Sequence, residues 1–544
     1  MIQKVKVFGP KSGLQFVLLL LFSSATSVRA VQFDATGHYG LKAALQTKPA
    51  AAENRGMHRG VQADFGLLVE ARSTDQLSFY LDLKIFEDPR SEYLGDFAKQ
   101  KEPIATGVED SKGDHQNSLE PRYRSYVPKF TQAFARYAMP YCILEAGRRA
   151  RHWGLGLFMN SGAGHYDYDQ SIYDGLSCNI NIENNQTLGV TFGYDKITET
   201  GRDPLPIVNQ GVDPSLPTPV GKYGVTNVGD DVDQFFLALE YDDSHATIEG
   251  GLSKQVAVYA AKIQSASVAE GGTATEMSVV DFYSSLSWHS IEWKSEVIAA
   301  FGKSADPSYT LLGGAFHDED SFAGRNRVNT LALAMDFAWD FFSSGNYLGP
   351  HRFRLGDYTR HQLVGSFAYA PGDKDGYLDN TTDPASALSI HNRSLKAEAF
   401  AFHENFKPAL IMFNAGTYLD DLRVDGVFHP RRVMNATVIG GGYRYFSLIN
   451  GEFSAKLLAA NLNVPIPATI KSYYDQNPEM TRPMGTYGTD LGWELDLTYD
   501  YYFSPKMKIS LAAAGHLPGV AWRTQEVVKP QANYLVQSGL EFFL

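Results

Sequence analysis

Strict alternation of apolar and polar residues recurs along the chain. Between residues 331 and 341 the odd positions hold large apolar side chains, whereas the even positions hold Ala and Asp. The same period of two is found in the segments 79–85, 237–242, 291–301 and 493–501. Successive side chains of a strand point to opposite faces, so each segment predicts a strand with one apolar and one polar face. The pattern predicts an all-β fold.

The connections between these segments are unequal in length. Short turns are predicted at residues 73–74, 183–185, 242–244, 450–451 and 504–505. One strand after each comes a long polar loop, and the long loops lie at residues 89–127, 198–231, 262–275, 304–325, 371–393, 466–488 and 517–532. Barrels of outer membranes have this asymmetry, with short periplasmic turns and long external loops.

We therefore predict a transmembrane antiparallel up-and-down β-barrel of about 18 strands, within a range of 16–20. Hydrocarbon offers the backbone no hydrogen-bond partner, so the sheet must close on itself and leave no edge. The weakest strand candidates, 394–405 and 409–420, are left open as strands or as parts of one external excursion. A barrel of this size is expected to enclose an aqueous lumen.

The first thirty residues have the pattern of a targeting segment. Lys4, Lys6 and Lys11 precede the apolar stretch Leu14–Phe22, and small residues then lead to Ala30. This order of basic, apolar and small residues predicts a signal peptide at 1–30. Residues 31–544 are then expected to form a single outer-membrane barrel domain.

Charge and cysteine content exclude other classes of protein. With 48 Lys and Arg against 61 Asp and Glu, the formal net charge is −13. An acidic chain lacks the basic footprint of a nucleic-acid binder, so no nucleic-acid partner is expected. Cys142 and Cys178 are the two cysteines, too few for a disulfide framework. One bridge between them is open, but two inert thiols are favoured.

The chain ends in an amphipathic segment. Its apolar residues of one parity are Tyr534, Val536, Leu540, Phe542 and Leu544. This ending resembles the segment that bacterial barrel-assembly machinery reads during insertion. The expected partners are that machinery, outer-membrane lipid and small hydrophilic solutes, and the oligomeric state is left open.

Arginines cluster between residues 122 and 151. Arg136 is predicted to face inward if the odd residues of 133–137 face lipid, and Arg148, Arg149 and Arg151 follow it. Arginine on the lipid face costs several kcal/mol at mid-membrane, so the lumen is the expected destination of all four. Such a ladder would favour anionic solutes, much as charged rings select ions. The alternative is that these arginines pair with lumenal carboxylates and brace the wall.

One loop has the composition of a weak calcium site. Asp373, Asp375 and Asp379 surround Gly376, and hard cations favour several oxygens on a tight turn. A solvated turn is the alternative, because Asp and Gly are ordinary turn residues. No other cofactor is expected.

No enzyme motif is found in the sequence, which contains neither HExxH nor GxSxG. An enzyme is therefore not predicted. An outer-membrane lipase or protease is kept as an alternative function. A barrel whose 198–231 loop mediates adhesion is the other.

Two stretches resemble known barrels. Residues 144–156, with Gly147-Arg148 and Trp153-Gly154, resemble the "GR…WG" strand-end of Gram-negative porin-like barrels. Residues 367–376 resemble the "SGD-D-DG" strand-to-loop segment of the alginate-export family.

The resemblance implies an outer-membrane barrel of eighteen strands with an electropositive lumen. It implies Arg148 and Arg149 as lumen arginines and Asp373, Asp375 and Asp379 as loop ligands. The expected function is passive passage of small hydrophilic solutes or saccharides, with a preference for anions.

Overall fold

The computed structural model describes eighteen stretches of the chain. These are residues 31–47, 57–87, 126–162, 171–182, 188–197, 232–243, 252–265, 276–304, 326–344, 359–372, 396–397, 400, 402–403, 406–413, 432–446, 451–464, 488–522 and 531–543. The predicted signal peptide, 1–30, and the acidic loop that holds Asp373, Asp375 and Asp379 lie outside the described residues. No helix in the described part of the chain is long and apolar enough to cross a bilayer.

In the described part of the chain, nineteen strands form one sheet. In chain order they are β1 (Gln32–Thr47), β2 (Met57–Arg72), β3 (Leu77–Glu87), β4 (Tyr126–Ala138), β5 (Ile143–Ala150), β6 (Ile172–Asn181), β7 (Leu188–Ile197), β8 (Val232–Asp242), β9 (Leu252–Ser265), β10 (Glu276–Trp288), β11 (Ile291–Ser304), β12 (Asn326–Ser344), β13 (Thr359–Ala370), β14 (Lys396–Ala397), β15 (Ala436–Phe446), β16 (Gly451–Leu462), β17 (Asp490–Ser504), β18 (Met507–Pro518) and β19 (Asn533–Phe543).

The sheet is a closed antiparallel barrel of eighteen wall strands. β14 is two residues long and pairs parallel to the start of β12, and β13 pairs directly with β15. β1 pairs with β19 from His38↔Phe543 to Gln46↔Leu535, which closes the wall. The prediction of an eighteen-stranded barrel is confirmed. The weak candidates 394–405 and 409–420 are not wall strands where they are described.

Short connections gather at one end of the barrel. The β2–β3, β4–β5, β10–β11 and β17–β18 turns lie there, and so do the two ends of the barrel chain. Gln32 pairs with Arg72 beside the β2–β3 turn, and the Phe543 N–H donates to the Lys506 carbonyl in the β17–β18 turn at 2.9 Å. One connection departs from the pattern, because the longer segment 345–358 joins β12 to β13 at this same end.

The two faces of the wall differ in the way that the alternation predicts. On β12, Leu331 is 50% exposed and Trp339 is 42% exposed, whereas Ala332 and Ala334 between them are buried. On β17, Trp493 and Leu495 are exposed and Glu494 is fully buried. Large apolar side chains therefore form the outer surface of the barrel, and polar or small side chains face inward. This arrangement fits a wall whose solvent is lipid.

Part of the lumen is filled with protein. The inward faces of β9 to β15 present small residues, among them Ala261, Ala300 and Ala332. They pack against buried apolar side chains of two segments that leave the wall, including Leu157, Phe158 and Ile411. The expected aqueous lumen is therefore narrowed, because small inward residues leave room for chain inside the barrel.

The cysteines are paired. Cys142, in the β4–β5 turn, forms a disulfide with Cys178 on β6 across a Cα–Cα distance of 5.7 Å. The preference for two inert thiols is wrong. Cys178 lies opposite Leu144 in the β5–β6 ladder, so the fold brings together two residues that are separated by 36 positions in the sequence.

The outward apolar belt carries a stability prediction. Leu497 lies on the outward face of β17, between exposed Trp493 and exposed Phe503 at the turn end. Leu497→Arg is expected to cost about 2–4 kcal/mol of barrel stability, because mid-membrane arginine is poorly solvated by lipid. Phe503→Arg, near the interface, is the control and is expected to cost about 0–1 kcal/mol. Urea unfolding in lipid vesicles measures both, and equal costs at the two positions would contradict a lipid-facing belt.

Candidate functional site

The candidate site is the narrowed lumen, which two inner segments build. The first inner segment, residues 151–162, follows β5 and turns into the barrel. The carboxylate of Glu296, on the inward face of β11, accepts the backbone N–H groups of Leu155 and, at 3.3 Å, Leu157. At the far end of the segment, the Lys84 ammonium donates to the Gly162 carbonyl at 2.7 Å.

Gly154 is required where this segment meets the wall. Its φ is +56°, a conformation that side chains disfavour. A Cβ at this position would also lie 2.5 Å from Glu296 Oε2. The glycine therefore lets the backbone approach the carboxylate closely enough to be held by it.

Aromatic side chains hold the first inner segment from the other side. Trp153 packs against Tyr259 of β9 with ring centroids 5.4 Å apart. Phe236 of β8 stacks on the same Tyr259 at 5.7 Å, and the Gln234 amide donates to its hydroxyl at 2.5 Å. Tyr259 is fully buried, so it acts as a fixed platform inside the barrel.

The second inner segment, residues 406–413, is anchored by carboxylates in the same way. On the inward face of β17, Glu494 accepts the Ile411 N–H at 2.6 Å and the Met412 N–H at 2.8 Å. Its neighbour on that face, Asp496, accepts the Leu410 N–H at 3.1 Å. Two wall side chains therefore fix three consecutive backbone groups.

Residues 402–403, which precede the second inner segment, join it to the first. The His403 N–H donates to the Leu157 carbonyl at 2.7 Å, and the His403 carbonyl accepts the Phe406 N–H at 2.9 Å. Phe402 and Phe406 pack edge to face at 5.2 Å. The segments therefore form one apolar body inside the lumen, and a solute that crosses the barrel must pass between this body and the wall.

A cavity of about 230 Å³ lies beside this body. Its lining combines Leu155 of the first segment and Phe406, Lys407 and Pro408 of the second with wall residues Asp336, Ser366, Ala368, Val438 and Lys456. The Lys456 ammonium donates to the Pro408 carbonyl at 3.1 Å. A small polar solute would therefore meet charges of both signs here.

Gly440 makes space for the Lys456 side chain. A Cβ on Gly440 would lie 2.9 Å from Lys456 Cε and 2.6 Å from Ser366 Oγ. Ser366 in turn is opposite Asp336 in the β12–β13 ladder. The missing side chain lets Lys456 reach across β15 toward the acidic side of the cavity.

Arg149 and Arg151 are bound to inward carboxylates. Arg149 is buried and donates to Glu145 at 2.7 Å and to the Ser177 hydroxyl at 2.6 Å. Arg151 donates to Asp195 at 2.9 Å, and its guanidinium lies 4.2 Å from the centre of the Phe236 ring. Both arginines face the barrel interior, and both are engaged in bracing it.

Arg136 is the most open of the four predicted arginines. Its side chain is 43% exposed, and its Nε lies 3.9 Å from Glu145 Oε1. The inward face near the short-turn end also holds Glu70, to which Arg72 and Tyr80 donate at 2.8 Å each. This mouth of the lumen carries both signs of charge.

Arg148 does not face the lumen, which corrects the prediction. It is opposite Ala133 and Asp174 in the ladders, on the same face as exposed Leu176. Its guanidinium donates to both Asp174 oxygens at 2.8 Å. Adjacent strand residues point to opposite faces, so Arg148 and Arg149 cannot both face inward.

The metal prediction stays untested. Asp373, Asp375 and Asp379 lie outside the described residues. Among the residues that the structure describes, no group of three or more His, Cys, Asp or Glu side chains is placed to hold a metal ion.

A histidine–carboxylate contact occurs inside the barrel. His38 Nε2 on β1 lies 3.3 Å from Asp64 Oδ2 on β2. Both residues are on the inward face, away from the lipid-facing surface on which an outer-membrane lipase would need its site. Sequence reasoning passed over this pair, although the β1–β2 pairing places the two residues only two register positions apart.

Several solved structures resemble the fold over most of the chain. Pseudomonas aeruginosa OpdQ is 12% identical, with 94% of this chain and 98% of that chain covered and a TM-score of 0.45. Acinetobacter baumannii OccAB2 is 10% identical, with 94% and 98% covered and a TM-score of 0.45. Acinetobacter baumannii OccAB1 is 8% identical, with 96% and 99% covered and a TM-score of 0.44. The sequence identities and TM-scores are too low for these similarities to indicate which solute this chain binds.

No protein-family model matches the chain, and no curated protein matches it. The resemblance to alginate-export barrels is therefore not confirmed.

The anchoring carboxylates carry a prediction about the width of the lumen. Glu494→Ala removes the acceptors of two backbone N–H groups, each such hydrogen bond being worth roughly 0.5–1.5 kcal/mol. The second inner segment should then detach from β17, and single-channel conductance in planar bilayers should rise above the wild-type value. Asp500→Ala is the control on the same face of β17, since Asp500 lies 3.8 Å from Lys508 of β18 and opposite Glu452 of β16. Unchanged conductance in Glu494→Ala would contradict the assignment of this segment to the constriction.

Proposed function

We propose that this protein is an outer-membrane channel for the passive passage of small hydrophilic solutes. The observation that carries the proposal is the combination of a closed wall with opposite faces, apolar and exposed outside, charged inside. Lipid favours the first face and an aqueous path favours the second. Export by the predicted signal peptide 1–30, a single barrel domain over 31–544 and recognition of the last strand by assembly machinery belong to this proposal.

The inner wall supports passage of a polar solute of modest size. Ion pairs line the inward face on several strands, such as Arg360 of β13 with Asp340 of β12 at 2.5 Å and Arg444 of β15 with Glu452 of β16 at 3.5 Å. Charge pairs keep a wall hydrated without holding a solute of one sign tightly. The anchored inner segments then set the size limit.

Anion preference stays a prediction, and Arg136 is the residue through which it would act. Arg149 and Arg151 are engaged by Glu145 and Asp195, and Arg148 faces outward. An alginate-like polysaccharide would need a path that accepts a polyanion, which these engaged arginines do not favour. We propose small solutes rather than a polymer as the substrate class.

The rival functions remain distinguishable by experiment. An outer-membrane hydrolase would act through a His beside a carboxylate or hydroxyl. His38–Asp64 is a described His–carboxylate pair to mutate in a hydrolase assay, and His361–Tyr443, 2.6 Å apart, is a described His–hydroxyl pair. An adhesin would lose surface binding when residues 198–231 are deleted and would keep its conductance. That loop lies outside the described residues.

Purified protein in planar bilayers should give stepwise conductance and, in a KCl gradient, a measurable reversal potential. Arg136→Gln should shift that potential toward cation preference, because it removes a partly exposed positive charge from the short-turn mouth. Charge effects are screened beyond about 8–10 Å in physiological salt, so the shift should be larger at low salt.

Arg148→Gln is the matched control. Its side chain is as exposed as that of Arg136, 41% against 43%, but it lies on the opposite face of the wall. The reversal potential should therefore not change in this variant. Equal shifts in the two variants would refute the assignment of faces, and absence of conductance at every voltage would refute the channel.

A further inference from the structure

A row of charged residues crosses the outward face of the barrel. Arg148 of β5 is held by Asp174 of β6 through two hydrogen bonds of 2.8 Å. In the next two ladders, Asp174 is opposite Lys196 of β7, and Lys196 is opposite Asp233 of β8. These four residues, with alternating charge, are termed the outer charge row.

The outer charge row begins inside the apolar belt. Arg148 is opposite Ala133 of β4, and exposed Tyr137 and Phe130 lie on the outward face of β4 on either side of Ala133. On the next strand, Ala133 is opposite exposed Leu81. The guanidinium therefore lies at a depth where the neighbouring strands present apolar side chains to lipid.

A charge at this depth is unfavourable in front of lipid. Arginine on the lipid face costs about 2–4 kcal/mol near the midplane. The bond to Asp174 offsets part of this cost, yet both side chains stay about 40% exposed. Lipid phosphates lie at the interface rather than at this depth, so a headgroup cannot cover the pair. A protein surface with polar groups can.

The wall is also shortest at this place. β5 has 8 residues, whereas a tilted strand needs about 9–11 to cross the hydrocarbon. β6 and β7 have 10 residues each, against 19 in β12. The chain turns into the lumen after Ala150 instead of continuing the wall. In this sector of the barrel, β5 is therefore too short to span the whole hydrocarbon layer.

We propose that the outward face of β5–β8 is the interface with a second copy of this chain. The outer charge row holds two positive and two negative residues, so it is complementary to itself when two copies meet about a two-fold axis. A second copy would cover the Arg148–Asp174 pair and shield the short sector of the wall. This assignment concerns assembly and does not depend on the solute.

Site-specific photo-crosslinking in intact outer membranes tests the proposal. The crosslinking amino acid replaces Leu176, which lies beside Asp174 on the outward face and is 48% exposed. The matched control is Leu457 of β16, also outward and also 48% exposed. A covalent dimer of the chain is expected from position 176 and not from position 457.

A charge variant gives a second measurement. Arg148→Leu with Asp174→Leu makes the row apolar at its deepest point, and the crosslinked dimer from position 176 should fall at least about tenfold, which corresponds to 1.4 kcal/mol. A heat-modifiable band on unboiled gels shows that the variant barrel is folded.

Three results would overturn the proposal. They are equal dimer yields at positions 176 and 457, crosslinks from position 176 to a different protein, and no crosslinked product from a folded barrel. Conductance measured on the same preparations tells these outcomes apart from failure of the channel proposal.

Discussion

Closure of the sheet is the constraint on which the rest of the structure depends. In hydrocarbon each unpaired backbone group is costly, so the first and last strands must pair. They do so over nine register positions between β1 and β19. Because the ladder then supplies the backbone hydrogen bonds, the wall does not need the inward-facing side chains to satisfy its backbone groups. They can carry charge, hold inner segments, or be reduced to alanine and glycine.

The inward carboxylates show what that freedom is used for. Glu296 and Glu494 are fully buried, and each accepts two backbone N–H groups from an inner segment. Backbone in the lumen lacks ladder partners, so a carboxylate supplies the acceptors that a neighbouring strand would otherwise provide. The same hydrogen bonds explain why these acids tolerate burial, since a buried polar group is costly unless it is hydrogen-bonded. The constriction therefore depends on side chains that the wall strands supply.

Sequence patterns predicted the wall better than its contents. The alternation in 331–341 and 493–501 gave the correct outward faces, because lipid and lumen impose opposite demands on adjacent residues. Adjacent residues of a strand point to opposite faces, so Arg148 and Arg149 lie on different faces of the wall. With Arg149 facing the lumen, this alternation places Arg148 on the outward face. The disulfide depended on the register of β5 against β6, which composition does not encode. The inner segments 151–162 and 406–413 are short, and nothing local in their sequences distinguishes them from wall strands or external loops.

The narrowed lumen and the outer charge row have a common origin in the end of β5. The chain leaves the wall after Ala150 because Glu296 and the Tyr259 platform hold the next residues inside the barrel. Because the chain departs there, β5 is short, and its last residues lie at the depth of the apolar belt. Charged residues that would otherwise lie at the external rim then face lipid, and Arg148 and Asp174 become partners there. The outer charge row, which needs a protein neighbour, is thus a consequence of the same turn that places the first inner segment in the lumen. If the chain left the wall at a different residue, the narrowed lumen and the outer charge row would both change.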